Sequence, residues 1–133
     1  MTANFTNAPS LDDLAEIAEA ALGTLPAELK RHIDGVALRV AEFPDDETLD
    51  DLELESPFDL LGLYRGVDIG HKSANAIVSD VDMIFLYRRP ILDEWCEGGE
   101  TLHDLIRHVL IHEIGHHFGL SDDDMERIEA ASG

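Results

Sequence analysis

The chain has 133 residues, 44% of them hydrophobic, and a formal net charge of −20 from 29 acidic against 9 basic side chains. That length predicts one domain with no room for a separate substrate-binding lobe, and the apolar fraction excludes general disorder. The charge excludes the cationic face on which nucleic-acid and anionic-membrane binding depend, and it favours basic peptides or solubility alone. A basic, then apolar, leader is absent, as is any apolar run of about 18 residues, so an unexported, cytoplasmic protein is expected. The lone Cys96 cannot close an internal disulfide, which agrees with a reducing compartment, and it reads as a small, partly buried hydrophobe.

In chain order, residues 1–9 form a tail, expected to be flexible and ending at Pro9, and residues 10–133 form the single domain. Ser10 caps a helix to about Leu22, with Leu11, Leu14, Ile17, Ala18 and Ala21 on one face and Asp12 and Asp13 in the first turn. Gly23 ends it, and Pro26 opens a short turn to about His32. Residues 36–43 alternate as a strand, stopped by Pro44. Asp45, Asp46, Glu47, Asp50, Asp51, Glu53 and Glu55 then crowd a segment expected to be a solvated loop; it lacks the calcium-loop spacing D-x-[DN]-x-[DN]-G. Residues 60–66 read as a second strand, followed by a polar loop with Gly70 and Asn75, and residues 83–87 read as a third. Pro90 starts a short helix toward Trp95, broken by Gly98 and Gly99. Thr101 caps a long helix over residues 102–118, with Asp104 placed for a capping box. Ser121 caps a last helix to about Ala131. The order is helix, sheet, helix, without repeats.

The chemistry is concentrated at the end of the long helix, in His112-Glu113-Ile114-Gly115-His116-His117-Phe118-Gly119-Leu120-Ser121-Asp122. On a helix His112 and His116 stand one turn apart on one face, about 6 Å along the axis, so both imidazoles reach one Zn²⁺. Glu113 is turned about 100° away, outside that ligand set but placed to act on a water. Gly119 suits a sharp left-handed reversal that returns Asp122 toward the metal. Asp123, Asp124 and Glu126 lie close enough along the chain to take its place. Leu102, Leu105, Ile106, Val109, Leu110 and Ile114 make the apolar stripe that packs on the sheet. His108 lies one turn before His112 and reads as cleft-lining, because a fourth protein ligand would close the site. His117 reads as structural, hydrogen-bonded under the helix end. His32, His71 and His103 read as surface residues, and Met125 as core packing.

This spacing resembles the H-E-x-x-H-x-x-G-x-x-H pattern of the metzincins, with aspartate in place of the third histidine, as in snapalysin-type peptidases. Over residues 101–125 the chain is similar to the small bacterial zincin-like metallopeptidases, and more loosely so over the strands upstream. The resemblance implies an α+β, minimal zincin-like fold: a small mixed sheet packed on an N-terminal helix and a long active-site helix. It also implies a zinc-dependent peptidase, with His112, His116 and Asp122 as ligands and Glu113 as general base. Two imidazoles and a carboxylate suit Zn²⁺ best, though they accept Co²⁺, Mn²⁺ or Fe²⁺. A peptide or protein substrate would add as a strand to an exposed sheet edge, for which residues 60–66 are the candidate, with Tyr64 near the developing oxyanion. Two rivals stand beside this: a metal-binding zincin-like module that cleaves nothing, and a metal-dependent endoribonuclease of the kind with three histidines at the same intervals. Glu113 and the net charge of −20 argue against the nuclease.

Overall fold

The sheet is built around its third strand. In the computed structural model, which describes residues 7–66 and 82–131, β1 (Ala37–Ala41), β2 (Gly62–Arg65) and β3 (Met83–Tyr87) lie in the order β1-β3-β2. β1 runs parallel to β3, pairing Ala37 with Met83 through Ala41 with Tyr87. β2 runs antiparallel to it, pairing Gly62 with Leu86 and Arg65 with Met83. The two-residue alternation of β3 puts Ile84 and Leu86, both fully buried, on the core face. The expected tail lies outside the described residues up to residue 6, as does the expected polar loop with Gly70, His71 and Asn75. Pro9 is buried, and its carbonyl accepts a hydrogen bond from Arg88 Nε.

The N-terminal helix packs against β1 and the long helix after Thr101 against β2. α1 (Leu11–Gly23) starts where Ser10 Oγ accepts from Asp13 N at 3.1 Å and Asp13 Oδ2 accepts from Ser10 N at 2.8 Å, so two orphan donors are satisfied reciprocally. It buries Leu14, Ile17, Ala18 and Ala21, while Leu11 remains largely exposed. A one-turn helix, α2 (Ala27–Lys30), follows Pro26. α4 (Arg88–Glu97) begins directly at the end of β3, two residues before Pro90, and leaves Cys96 exposed rather than partly buried. α5 (Leu102–His117), capped by Thr101, packs under β2 and against α1. Its whole predicted stripe is buried, with Ile111 added to it. Each fully buried aliphatic side chain there contributes about 1.5–3 kcal/mol. Gly62 of β2 passes so close to α5 that a Cβ on it would lie 2.7 Å from Val109 Cγ1. That approach seats the strand on the helix.

The acidic stretch is not all loop, because α3 (Asp46–Asp51) forms within it. Asp45 Oδ1 accepts from Thr48 N at 2.8 Å, and Asp46 and Glu47 lie at the positive helix end, where their charges stabilise the turn. Thr48, 4% exposed, anchors it. Carboxylates that read as solvated are here a cap and a first turn.

Candidate metal centre

The metal-site geometry begins at the turn after α5. Leu120 N donates to Gly115 O at 2.8 Å and Gly119 N to His116 O at 3.2 Å, the paired bonds of a Schellman ending, with Gly119 at φ +76°. Ser121 then opens α6 (Asp122–Ala131), exchanging backbone and side-chain hydrogen bonds with Asp124. α6 runs back antiparallel along α5: Met125, fully buried, sits at Gly115, and the Arg107 guanidinium donates to the carbonyls of Ile128 and Glu129 at 3.4 and 3.3 Å. A methionine of the core, as expected, sets the spacing of the two helices.

His108, His112 and His116 of α5 follow one another at successive turns. The rings of His108 and His112 have centroids 4.1 Å apart, and those of His112 and His116 lie 5.8 Å apart at 79°. His112 is half-buried; His116 is exposed at the helix end, and Asp122 is exposed as the first residue of α6. Glu113 is half-buried, and the backbone N–H of Tyr64 in β2 is turned toward its carboxylate. Burial pushes its carboxyl above the ordinary glutamate range, partly offset by the charge of His116 and by the Tyr64 amide. Asp124, in contrast, is held below the carboxylate range, chiefly by its side-chain and backbone hydrogen bonds with Ser121. As a cap, it is engaged away from the histidines.

Tyr64 walls this site rather than pointing a free hydroxyl into it. Its O–H donates to Asp82 Oδ2 at 2.7 Å, and burial, followed by that hydrogen bond and the Asp82 charge, raises its pKa far above the usual phenol value. Its ring stacks on His117 with centroids 3.9 Å apart. His117 is therefore an exposed stacking partner of Tyr64. His32 is exposed as expected but stacks on Phe118 at 4.6 Å.

Among the described residues, one trio of potential ligands brings its donor atoms within 4.8 Å of one another: His108, His112 and Glu129. His108 Nδ1 is 2.8 Å and His112 Nε2 3.1 Å from Glu129 Oε1. His116 and Asp122, the other expected ligands, stand outside that trio. Glu129 was not a candidate in the sequence. Its signal was the helical period: Glu129 is seven residues beyond Asp122, so both lie on one face of α6. Two imidazoles and a carboxylate are a donor set that zinc accepts, and the buried Glu129 Oε1, which has no hydrogen-bond partner, adds a free acceptor.

The zincin-like metallopeptidase family matches this chain over residues 33–131, from the turn before β1 to the end of α6. The chain belongs to that family. Among solved structures it is similar to a conserved hypothetical protein from Thermus thermophilus, at a TM-score of 0.54 and 25% identity, covering 83% of this chain and 94% of that one. No curated protein matches it. The α+β arrangement of a three-stranded mixed sheet with an N-terminal helix and a long H-E-x-x-H helix is the minimal form of the zincin fold. With the imidazole and carboxylate donors of α5 and α6, it makes this a zincin-like metal-binding protein. Among the described residues, no helix is long and apolar enough to cross a membrane.

Proposed function

We propose that the protein is a zinc-dependent metallopeptidase in which His112, His116 and Asp122 hold the metal and Glu113 is the general base. One observation carries this reading: the half-buried Glu113 carboxylate, next to His112, has the backbone N–H of Tyr64 beside it, in β2 at the edge of the sheet among the described residues. Base, metal histidines and a strand edge thus meet within one turn of α5. Zinc, when bound, supplies a Lewis acid for the scissile carbonyl and lowers the pKa of a water. Glu113 takes a proton from that water and passes it to the leaving amine. Its burial makes it a stronger base than a surface glutamate.

An extended peptide laid along β2 adds a strand to the sheet, its backbone pairing with the side of 62–65 that faces away from β3. The Tyr64 N–H then exchanges the Glu113 carboxylate for a substrate carbonyl. Substrate entry thereby frees the base when it is needed. The net charge of −20 favours basic peptides at this edge, so a peptide or protein substrate is the partner we assign. A mixed peptide library incubated with the zinc-loaded protein tests the reading. Glu113→Gln keeps size and polarity but not basicity, so cleavage should fall by about 10²–10⁴-fold with zinc content unchanged. Equal cleavage by both forms overturns the mechanism. Zinc binding with no cleavage by either form identifies a non-catalytic zincin-like module instead.

A further inference from the structure

His108 and Glu129 have no part in that mechanism, yet the His108 ring lies 4.1 Å from that of His112, against 5.8 Å for His116, and Glu129 Oε1 lies 3.1 Å from His112 Nε2. We propose that His108, His112 and Glu129 form a second metal-binding register for a divalent transition ion, one helical turn back along α5 and sharing His112 with the H-E-x-x-H register. Three observations carry this. First, the spacing fits: donor atoms around a tetrahedral Zn²⁺ at about 2.0–2.1 Å stand roughly 3.3 Å apart, and His108 Nδ1 and His112 Nε2 lie 2.8 and 3.1 Å from Glu129 Oε1. Those two separations are within about half an ångström of that spacing, and all three donor atoms lie within 4.8 Å of one another.

Second, the closeness is not explained by hydrogen bonding. Glu129 Oε1 is buried and has no hydrogen-bond partner although two ring nitrogens are beside it. An ion set among these three donor atoms would satisfy that oxygen, and a buried acceptor left unpaired is costly.

Third, Glu129 is preorganised. Its own carbonyl and that of Ile128 accept from Arg107 of α5, Ile128 is 2% exposed in the core, and Met125 is wedged at Gly115 one turn earlier. The α6 backbone is thus held from α5 at the point where the carboxylate leaves it. Because Asp122 and Glu129 share a face of α6 about 10.5 Å apart, a row of two carboxylates accompanies the row of three histidines. His112 belongs to both ends. The registers are therefore mutually exclusive, and an ion in the His108–His112–Glu129 register leaves His116 and Asp122 without it. This inference does not depend on whether the protein cleaves peptides.

The test is titration of the full, chelator-stripped chain with Co²⁺ alone, followed by its visible d–d absorption, with circular dichroism confirming the fold of each variant. His116→Ala removes a ligand of the H-E-x-x-H register and none of the second. It is expected to take up one Co²⁺ per chain. Adding Glu129→Gln, which is nearly isosteric, or His108→Asn to that background should weaken uptake by at least about tenfold, and His112→Ala should abolish it in either background. If His116→Ala takes up no Co²⁺ while wild type does, the second register is overturned and the H-E-x-x-H assignment stands. If His116→Ala binds equally with and without Glu129→Gln and His108→Asn, the second register is overturned as well. A wild-type chain that takes up no Co²⁺ overturns both.

Discussion

Glu113 shows how one side chain couples the fold to its chemistry. Its folded carboxyl titrates above the ordinary value of 4.5, because burial disfavours the charged form. In the unfolded chain the carboxyl is ordinary, so between the two values the folded state binds more protons. Stability therefore falls as pH rises through that window, with the contribution complete below the ordinary value and lost above the folded one. Replacing Glu113 by Gln removes the titration. In metal-free protein, Glu113→Gln should gain stability relative to wild type on going from pH 4 to pH 7, as read from urea midpoints. Parallel profiles for the two proteins would mean that the carboxylate is not buried as described. His112, Glu113 and His116 were legible in the sequence because helix pitch alone sets their relative directions. Glu129 was not, since only the packing of α6 on α5 brings it to His108 and His112.

At the scale of elements, the reversal between α5 and α6 governs the site. Gly119 sits at φ +76° with no atom near the space a Cβ would fill, so the demand there is conformational rather than steric. Gly119→Ala should cost about 1–2 kcal/mol in the urea-induced unfolding of metal-free protein. Because the same turn aims α6, Co²⁺ affinity should fall together with stability; a variant that loses stability but binds as tightly as wild type would separate turn from site. The turn could be read from sequence because its signal, a glycine three residues past His116 followed by Ser121 as the next cap, is local. α3 could not, as dense carboxylates outweigh a cap when read as composition. Only the placement of Thr48 in the fold, with Arg65 Nη2 donating to its hydroxyl at 3.4 Å, shows the segment tied down.

For the molecule as a whole, the net charge of −20 is a standing repulsion that the fold tolerates. Among the described residues, the surface ion pairs of Arg88 with Glu42 and of Arg127 with Glu28 and Asp124 engage only a few of the acids, and each contributes little at such exposure. Screening should therefore stabilise the protein. Raising NaCl from 10 to 150 mM shortens the Debye length from about 30 to about 8 Å, and an expected gain on the order of 1 kcal/mol corresponds to a rise in Tm of about 4 °C. Calorimetry of metal-free protein in the two buffers checks this. A Tm that stays level or falls would show that the acids are spaced widely enough not to repel.

By itself the sequence determined whatever depends on hydrogen bonds and periodicity within a few residues: the caps at Ser10, Thr101 and Ser121, the buried stripe of α5, the left-handed Gly119, and the His112-Glu113-His116 pattern that places the chain among the zincins. The tertiary structure decided what depends on contacts between distant segments. It set the strand order that leaves β2 at an edge among the described residues, the approach of the Tyr64 N–H to Glu113, and the meeting of His108 and His112 with Glu129. The reason is physical: a helix or cap is specified by neighbours along the chain, whereas those three arrangements exist only once α5, α6 and the sheet have buried their apolar faces together.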